Sequence, residues 1–218
     1  GKKMSKSSKN GVSPQEVIDK YGVDVARMHV HFLAGYEDNC GWTYKGIEGI
    51  VNFLDKVWKL QDIIKGEEIS RKHEADLHQL IKKASSDYEN LKLNTCIAAL
   101  MTFIKKIKED GYITKEELRQ FLIILNPLAP HITSEEYEIV FGKDILDETF
   151  PEYDESKMAK KEVNLPVQVN GKLKGTKLID LSLTQQDIER ECLPVAKITA
   201  EQIKKVIYVP GRIINFIV

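Results

Sequence analysis

Two lysines three residues apart, Lys3 and Lys6, stand in the stretch Lys3-Met4-Ser5-Lys6-Ser7 near the start of this 218-residue chain. Paired ammonium groups in a serine-rich segment are suited to grip a phosphate chain. Phosphoryl and adenylyl transfer need positive charge where negative charge develops. Lysine serves a loop of this kind because it is a point charge on a flexible stem. Residues 1–12, with Lys, Ser, Asn and Gly and no apolar period, read as a polar loop. On charge alone, a solvated basic terminus or localisation tract is the stronger reading. Opening on Gly1 in the middle of such a stretch, the chain reads as an excised fragment.

A second set of cations lies at the other end. From Lys157 to Val218, eleven Lys or Arg stand against six Asp or Glu, a net +5 in a chain of net charge -1. A basic end on an acidic body suits a polyanion partner. Lys172, Lys174, Lys177, Lys204, Lys205 and Arg212 are candidate phosphate contacts there. Alternation along a strand would place Lys172 and Lys174 on one face. The histidines do not suggest a metal: His29 and His31 differ by two and His73 and His78 by five, so neither pair shares a helix face. His131 follows a proline and reads as a capping or packing residue. Cys40, Cys96 and Cys192 are far apart and read as unpaired thiols in a reducing compartment. No apolar run reaches the roughly 18 residues of a membrane span.

The elements that must position these residues are mostly helices. Ser13-Pro14-Gln15-Glu16 has the form of a capping box with proline at the first helical position, opening a helix that stops near Gly22. A second helix covers about 24–33, and 35–43 reads as a loop. Ile47, Ile50, Val51, Leu54, Val57 and Trp58 form one apolar stripe of a long helix ending at Gly66. Ser70 opens another, with His73, Leu77, Leu80, Ile81, Ala84 and Tyr88 on one face. A third runs from Leu93 to Gly111. Thr114-Lys115-Glu116-Glu117 is a second capping box, Asn126-Pro127 breaks its helix, and His131 to Phe141 is one more. Short connections make this an antiparallel helical bundle. After residues 143–161, read as a linker, the period becomes two: Val163 to Val169, an Asn170-Gly171 turn, a return strand, a helix from Thr184, and two strands about Pro210-Gly211. The fold class is therefore mainly α: a helical bundle followed by a small α+β domain. The expected division is 1–12 loop, 13–43 short helices, 44–142 bundle, 143–161 linker and 162–218 α+β domain.

Lys3-Met4-Ser5-Lys6-Ser7, followed by Asn10-Gly11-Val12-Ser13-Pro14 and a helix, resembles the second signature of class I aminoacyl-tRNA synthetases. Tyr21-Gly22-Val23-Asp24-Val25-Ala26-Arg27 is similar to a stretch of the leucine group and its cousins. Asn126-Pro127-Leu128-Ala129-Pro130-His131-Ile132-Thr133 resembles a motif of their helical anticodon-binding domain. Gln168 to Gly175 and Lys204 to Asn215 look like the last hairpin and strands of the bacterial-type leucyl-tRNA synthetase family. The resemblance spans essentially the whole chain. It implies that the loop closes over ATP, with Lys3 and Lys6 catalytic towards the departing pyrophosphate and Met4, Ser5 and Ser7 also in the ATP site. Where relatives read Lys-Gly-Asn, this chain reads Ser8-Lys9-Asn10-Gly11, which displaces the third lysine.

The resemblance further implies ATP and Mg2+ as substrates of an intact ligase, none bound to this fragment. The partners are tRNA(Leu) and the catalytic and editing domains that lie upstream in the family. A monomeric cytoplasmic enzyme is expected, with the fragment inactive alone. The rival readings are a non-catalytic RNA-binding module, a helical scaffold for protein partners, and a class I synthetase for Met, Ile or Val.

Overall fold

The computed structural model describes every residue except 1–3, 6, 9, 159–161 and 182. It divides into two compact units, residues 1–158 and 159–218.

In the first unit the described residues form seven helices: α1 (Pro14–Tyr21), α2 (Val23–Leu33), α3 (Ile47–Trp58), α4 (Glu74–Glu89), α5 (Leu93–Asp110), α6 (Lys115–Leu125) and α7 (Pro130–Phe141). The apolar stripes explain their packing. Ile47, Ile50, Leu54 and Val57 of α3, Leu77 and Ile81 of α4, Ile97, Leu100 and Ile104 of α5, and Leu118, Phe121 and Leu122 of α6 are all buried in one core. Each such side chain contributes about 1.5–3 kcal/mol on leaving water. Phe103 and Phe121 stack 5.9 Å apart between α5 and α6. Antiparallel α4 and α5 are tied by the Lys106–Asp76 ion pair and by the Thr95 hydroxyl, which donates to Asp87 at 2.7 Å and accepts from Lys83 Nζ at 3.1 Å.

Two boundaries differ from the apolar periodicity because another hydrogen bond competes, and one expected capping bond is not made. The helix from Tyr44 does not reach Gly66. It stops at Trp58, a single 3-10 turn follows at Gln61–Ile63, and residues 63–67 then pair with 113–116. Lys65 N donates to Ile113 O, Ile113 N to Ile63 O, and Lys115 N to Gly66 O. Ser70 caps a turn, its Oγ accepting from His73 N at 3.2 Å, so α4 begins one turn later at Glu74. Ser13 has the backbone of a helix cap, but its hydroxyl makes no capping bond, whereas Thr114 and Glu117 close both bonds of theirs. Thr114 and Glu117 are buried, while Ser13 is only half-buried and Glu16 is exposed, so water can take their place.

Residues 143–158 are held on the bundle. Ile145 is buried. Glu148 accepts from Arg119 Nη1 at 2.7 Å and from the Tyr137 hydroxyl at 2.5 Å. Asp154 N donates to His78 Nδ1, Gln79 Nε2 to Met158 O, and Lys82 to Glu155.

The second unit is a four-stranded sheet with one helix. Its elements are β1 (Glu162–Val169), β2 (Lys172–Asp180), α8 (Gln185–Ala196), β3 (Lys205–Val209) and β4 (Ile213–Ile217). The strand order is β2-β1-β4-β3; β1 pairs antiparallel with β2 and parallel with β4, and β4 antiparallel with β3. Asn170 and Gly171 both have positive φ at the β1–β2 turn, as a primed hairpin turn requires. Leu165, Val167, Val169, Ile214 and Phe216 form the face that packs with Ile188 and Cys192 of α8. Gly175 permits that approach: a Cβ there would lie 2.9 Å from Val195 Cγ1.

Candidate functional site

Lys3 and Lys6, the two residues expected to do chemistry, lie outside the described residues. The frame around them is described. Ser5 Oγ accepts from Ser8 N at 3.1 Å and donates to Ser8 Oγ at 2.7 Å, the bonds of a side-chain turn. Asn10 Oδ1 accepts from Ser5 N at 3.0 Å and closes the loop from its far side. Ser7 Oγ lies 3.2 Å from Ser5 Oγ. Met4, Ser5 and Ser7 are exposed. Ser8 and Asn10 fall outside the expected site residues, although Ser and Asn at two- and three-residue offsets are the usual signal of such turns.

The loop leads through half-buried Val12 and buried Val17 into α1. Gly22, at φ 87°, makes the joint from α1 to α2. The first turn of α2 meets α7 through Asp24. Asp24 Oδ2 accepts from Ile132 N at 2.8 Å, and Oδ1 from the His131 ring Nδ1 at 2.9 Å and from His131 N at 3.4 Å. His131, its ring mostly exposed, is thus a hydrogen-bond partner of the Asp24 carboxylate and not a packed side chain. Further along α2, His29 Nε2 lies 2.7 Å from Thr43 O, and its ring meets Trp42 edge-on at 5.3 Å. Burial, helped by the charge of Arg27, pushes the His31 imidazole down from its ordinary value. Among the described residues no group of three His, Cys, Asp or Glu could hold a metal ion.

The cations of the second unit do not form one cluster. Lys172, Lys174 and Lys177 lie on the β2 edge, and Lys204, Lys205 and Arg212 on the β3 side, with β1 and β4 between. Three strand spacings separate the edges, about 14 Å. At one end Lys172 pairs with Val169, Val169 with Phe216, and Phe216 with Val206, next to Lys205. Arg212 sits at the opposite end, in the β3–β4 turn, and Lys177 Nζ is 3.8 Å from Glu191. The simple alternation on which Lys172 and Lys174 were expected to share a face is interrupted by a bulge. Gln168 pairs with Leu173 and Val167 with Gly175, which leaves Lys174 without a partner in the register. The bulge brings Lys172 and Lys177 to the same side. The face away from α8 carries exposed Leu173, Leu178, Ile207 and Val209 around Gln168 and Asn215.

The sequence family described as the anticodon-binding domain of tRNA ligase matches residues 71–189, and tRNA synthetases class I (I, L, M and V) match residues 1–42. The chain belongs to the family of tRNA ligases that carry this anticodon-binding domain. Its relatives include a leucine–tRNA ligase of Alkaliphilus oremlandii, 36% identical over 99% of this chain, and one of Petrotoga mobilis, 38% identical over all of it. A solved ternary complex, Agrobacterium radiobacter K84 agnB2 LeuRS-tRNA-LeuAMS, covers the whole chain at TM-score 0.70 and 28% identity. The chain spans 28% and 30% of the length of the two curated relatives and 32% of the solved chain.

Proposed function

We propose that this chain is the lysine-loop and RNA-binding portion of a leucine–tRNA ligase. The observation that carries the reading is the match of nearly all 218 residues to leucine–tRNA ligases, rather than to one module of them. In this reading the whole ligase joins leucine to ATP, releases pyrophosphate, and passes leucine to tRNA(Leu). ATP and its Mg2+ enter as substrates. Lys3 and Lys6 face the leaving pyrophosphate from residues 1–12, while Ser5, Ser8 and Asn10 hold the turn that presents them.

Residues 13–43 join the loop to the bundle of 44–142. The unit expected over 162–218 offers RNA its phosphate contacts from Lys172, Lys174, Lys177, Lys204, Lys205 and Arg212. Two cationic edges about 14 Å apart, set by the strand spacing, suit a partner wide enough to meet both. Amide and apolar side chains between them suit base edges and ribose. A monomeric cytoplasmic enzyme is part of the reading; no helix among the described residues is long and apolar enough to cross a membrane.

The test is a pair of variants in the full-length ligase. Lys6→Ala slows leucine-dependent pyrophosphate exchange by at least 100-fold, on the order expected for a group that stabilises developing charge, and leaves tRNA affinity within about twofold. Removing residues 162–218 weakens tRNA binding and charging but spares exchange. Parental exchange in Lys6→Ala defeats the assignment of the loop and leaves a non-catalytic RNA-binding module as the better reading.

A further inference from the structure

Helix α7 starts with a difficulty that its own sequence does not solve. Its cap position is Ala129, which has no side-chain acceptor, and its first residue is Pro130, which has no N–H. The first free donors, His131 N and Ile132 N, are met by the carboxylate of Asp24, more than a hundred residues earlier. Asp24 is buried, and the His131 ring adds a third donor at 2.9 Å. The contact thus combines a helix cap, a favourable charge at a helix N-terminus and a side-chain bond. On the other side, Asp24 stands two residues after Gly22, the joint between α1 and α2, and α1 is the helix that the lysine loop enters.

We propose that Asp24 is a positioning residue for the reaction: by capping α7 from the first turn of α2, it fixes the α1–α2 corner and thereby aims the loop of residues 1–12. The inference rests on the reading of that loop as the nucleotide-facing one. It makes the start of α7 a mechanical support of the loop, so that the seating of Lys3 and Lys6 depends on a helix of the anticodon-binding domain. Asp24 itself touches no substrate in this account. A carboxylate is suited to the task because it accepts from all three donors at once, whereas an asparagine in its place offers one oxygen.

The experiment uses full-length ligase carrying Asp24→Ala, Asp24→Asn or Lys6→Ala, assayed by leucine-dependent pyrophosphate exchange well below the melting temperature of each. Asp24→Ala lowers kcat by about tenfold or more, with KM for leucine within about twofold of the parent. Asp24→Asn recovers part of that loss because its oxygen still accepts from Ile132 N. A role in stability alone would lower Tm and leave the kcat of folded enzyme unchanged. Parental kcat in folded Asp24→Ala, with Lys6→Ala inactive, overturns the positioning role and leaves the loop reading intact. Parental exchange in Lys6→Ala defeats the loop reading itself. Should Asp24→Ala fail to fold, Asp24→Asn decides: reduced kcat at parental KM supports the proposal, and parental kcat sinks it.

Discussion

The start of α6 and the middle of α7 each bury a glutamate completely, with opposite results. Glu117 lies at the third position of α6, where helix N–H groups are still free. Its Oε1 accepts from Ser70 N at 2.8 Å, and its Oε2 from Thr114 N and His73 Nδ1, both at 2.9 Å. His73 reaches on through Nε2 to Asp110 at 3.1 Å, so one carboxylate joins the entry to α4, the end of α5 and the start of α6. Burial pushes Glu117 up, but the bonds from His73, Thr114 and Ser70 outweigh it and hold the carboxyl below its ordinary value. Glu136 sits within α7, where the nearby N–H groups are spent on the helix. Neither of its oxygens has a hydrogen-bond partner. Burial pushes it up to about 8; the Gln61 backbone N–H pulls it down from outside hydrogen-bond geometry, and Asp62 adds a further push up. Burial is the same for both, so the supply of donors decides whether a carboxylate holds the bundle together or burdens it.

The sharpest way to break this comparison is Glu117→Ala. It strands His73 and two backbone donors and is expected to cost about 3–5 kcal/mol in urea unfolding. Because Glu117 and Asp110 are depressed in the fold, their stabilisation is present above the ordinary carboxylate range and is lost as pH falls through the lowered values. The variant therefore has a flatter acid limb than the parent; an unchanged limb would show that the network does not govern acid stability.

Glu136→Gln moves the other way, by an amount set by pH. The folded carboxyl titrates at about 8 against an ordinary 4.5, so the parent loses stability as pH rises between these values. The loss is at most about 1.4 kcal/mol per pH unit. Glutamine removes that slope and gains on the parent towards pH 8. Parallel stability profiles for the two proteins from pH 5 to 8 would refute the unpaired state of Glu136. The smallest effect separates two caps that look alike in sequence. Thr114→Ala should cost about 1 kcal/mol, while Ser13→Ala should stay within about 0.5 kcal/mol, both read by thermal unfolding. Equal losses would mean that Ser13 caps α1 after all.

Local signals were legible where they suffice to determine local structure. The apolar stripes of α3 to α6 set which faces are buried, and Asn126-Pro127, Asn170-Gly171 and Pro210-Gly211 set the breaks and turns. What escaped were features whose partners lie far along the chain. Ser13-Glu16 and Thr114-Glu117 have the same pattern, yet only the buried pair closes, since burial by the rest of the bundle removes the competing water. The bulge at Lys174 follows from how β2 passes β1 and leaves no mark in a run of alternating residues. Residues 143–158 lack periodicity because arginine, tyrosine and histidine of the bundle, not an apolar stripe, hold them in place.

By itself the sequence determined the periods of three to four and of two, the positions where the backbone must turn, and the lysine spacing within residues 1–12, because these depend on neighbours in the chain. Only the tertiary structure decided that Asp24 caps α7, that residues 63–67 pair with 113–116 instead of continuing a helix, that the cations of the last unit stand on two edges of one sheet, and that of two buried glutamates one is saturated and the other bare. Each of these depends on which donor or strand arrives from a distant part of the chain, and that is settled when the core closes.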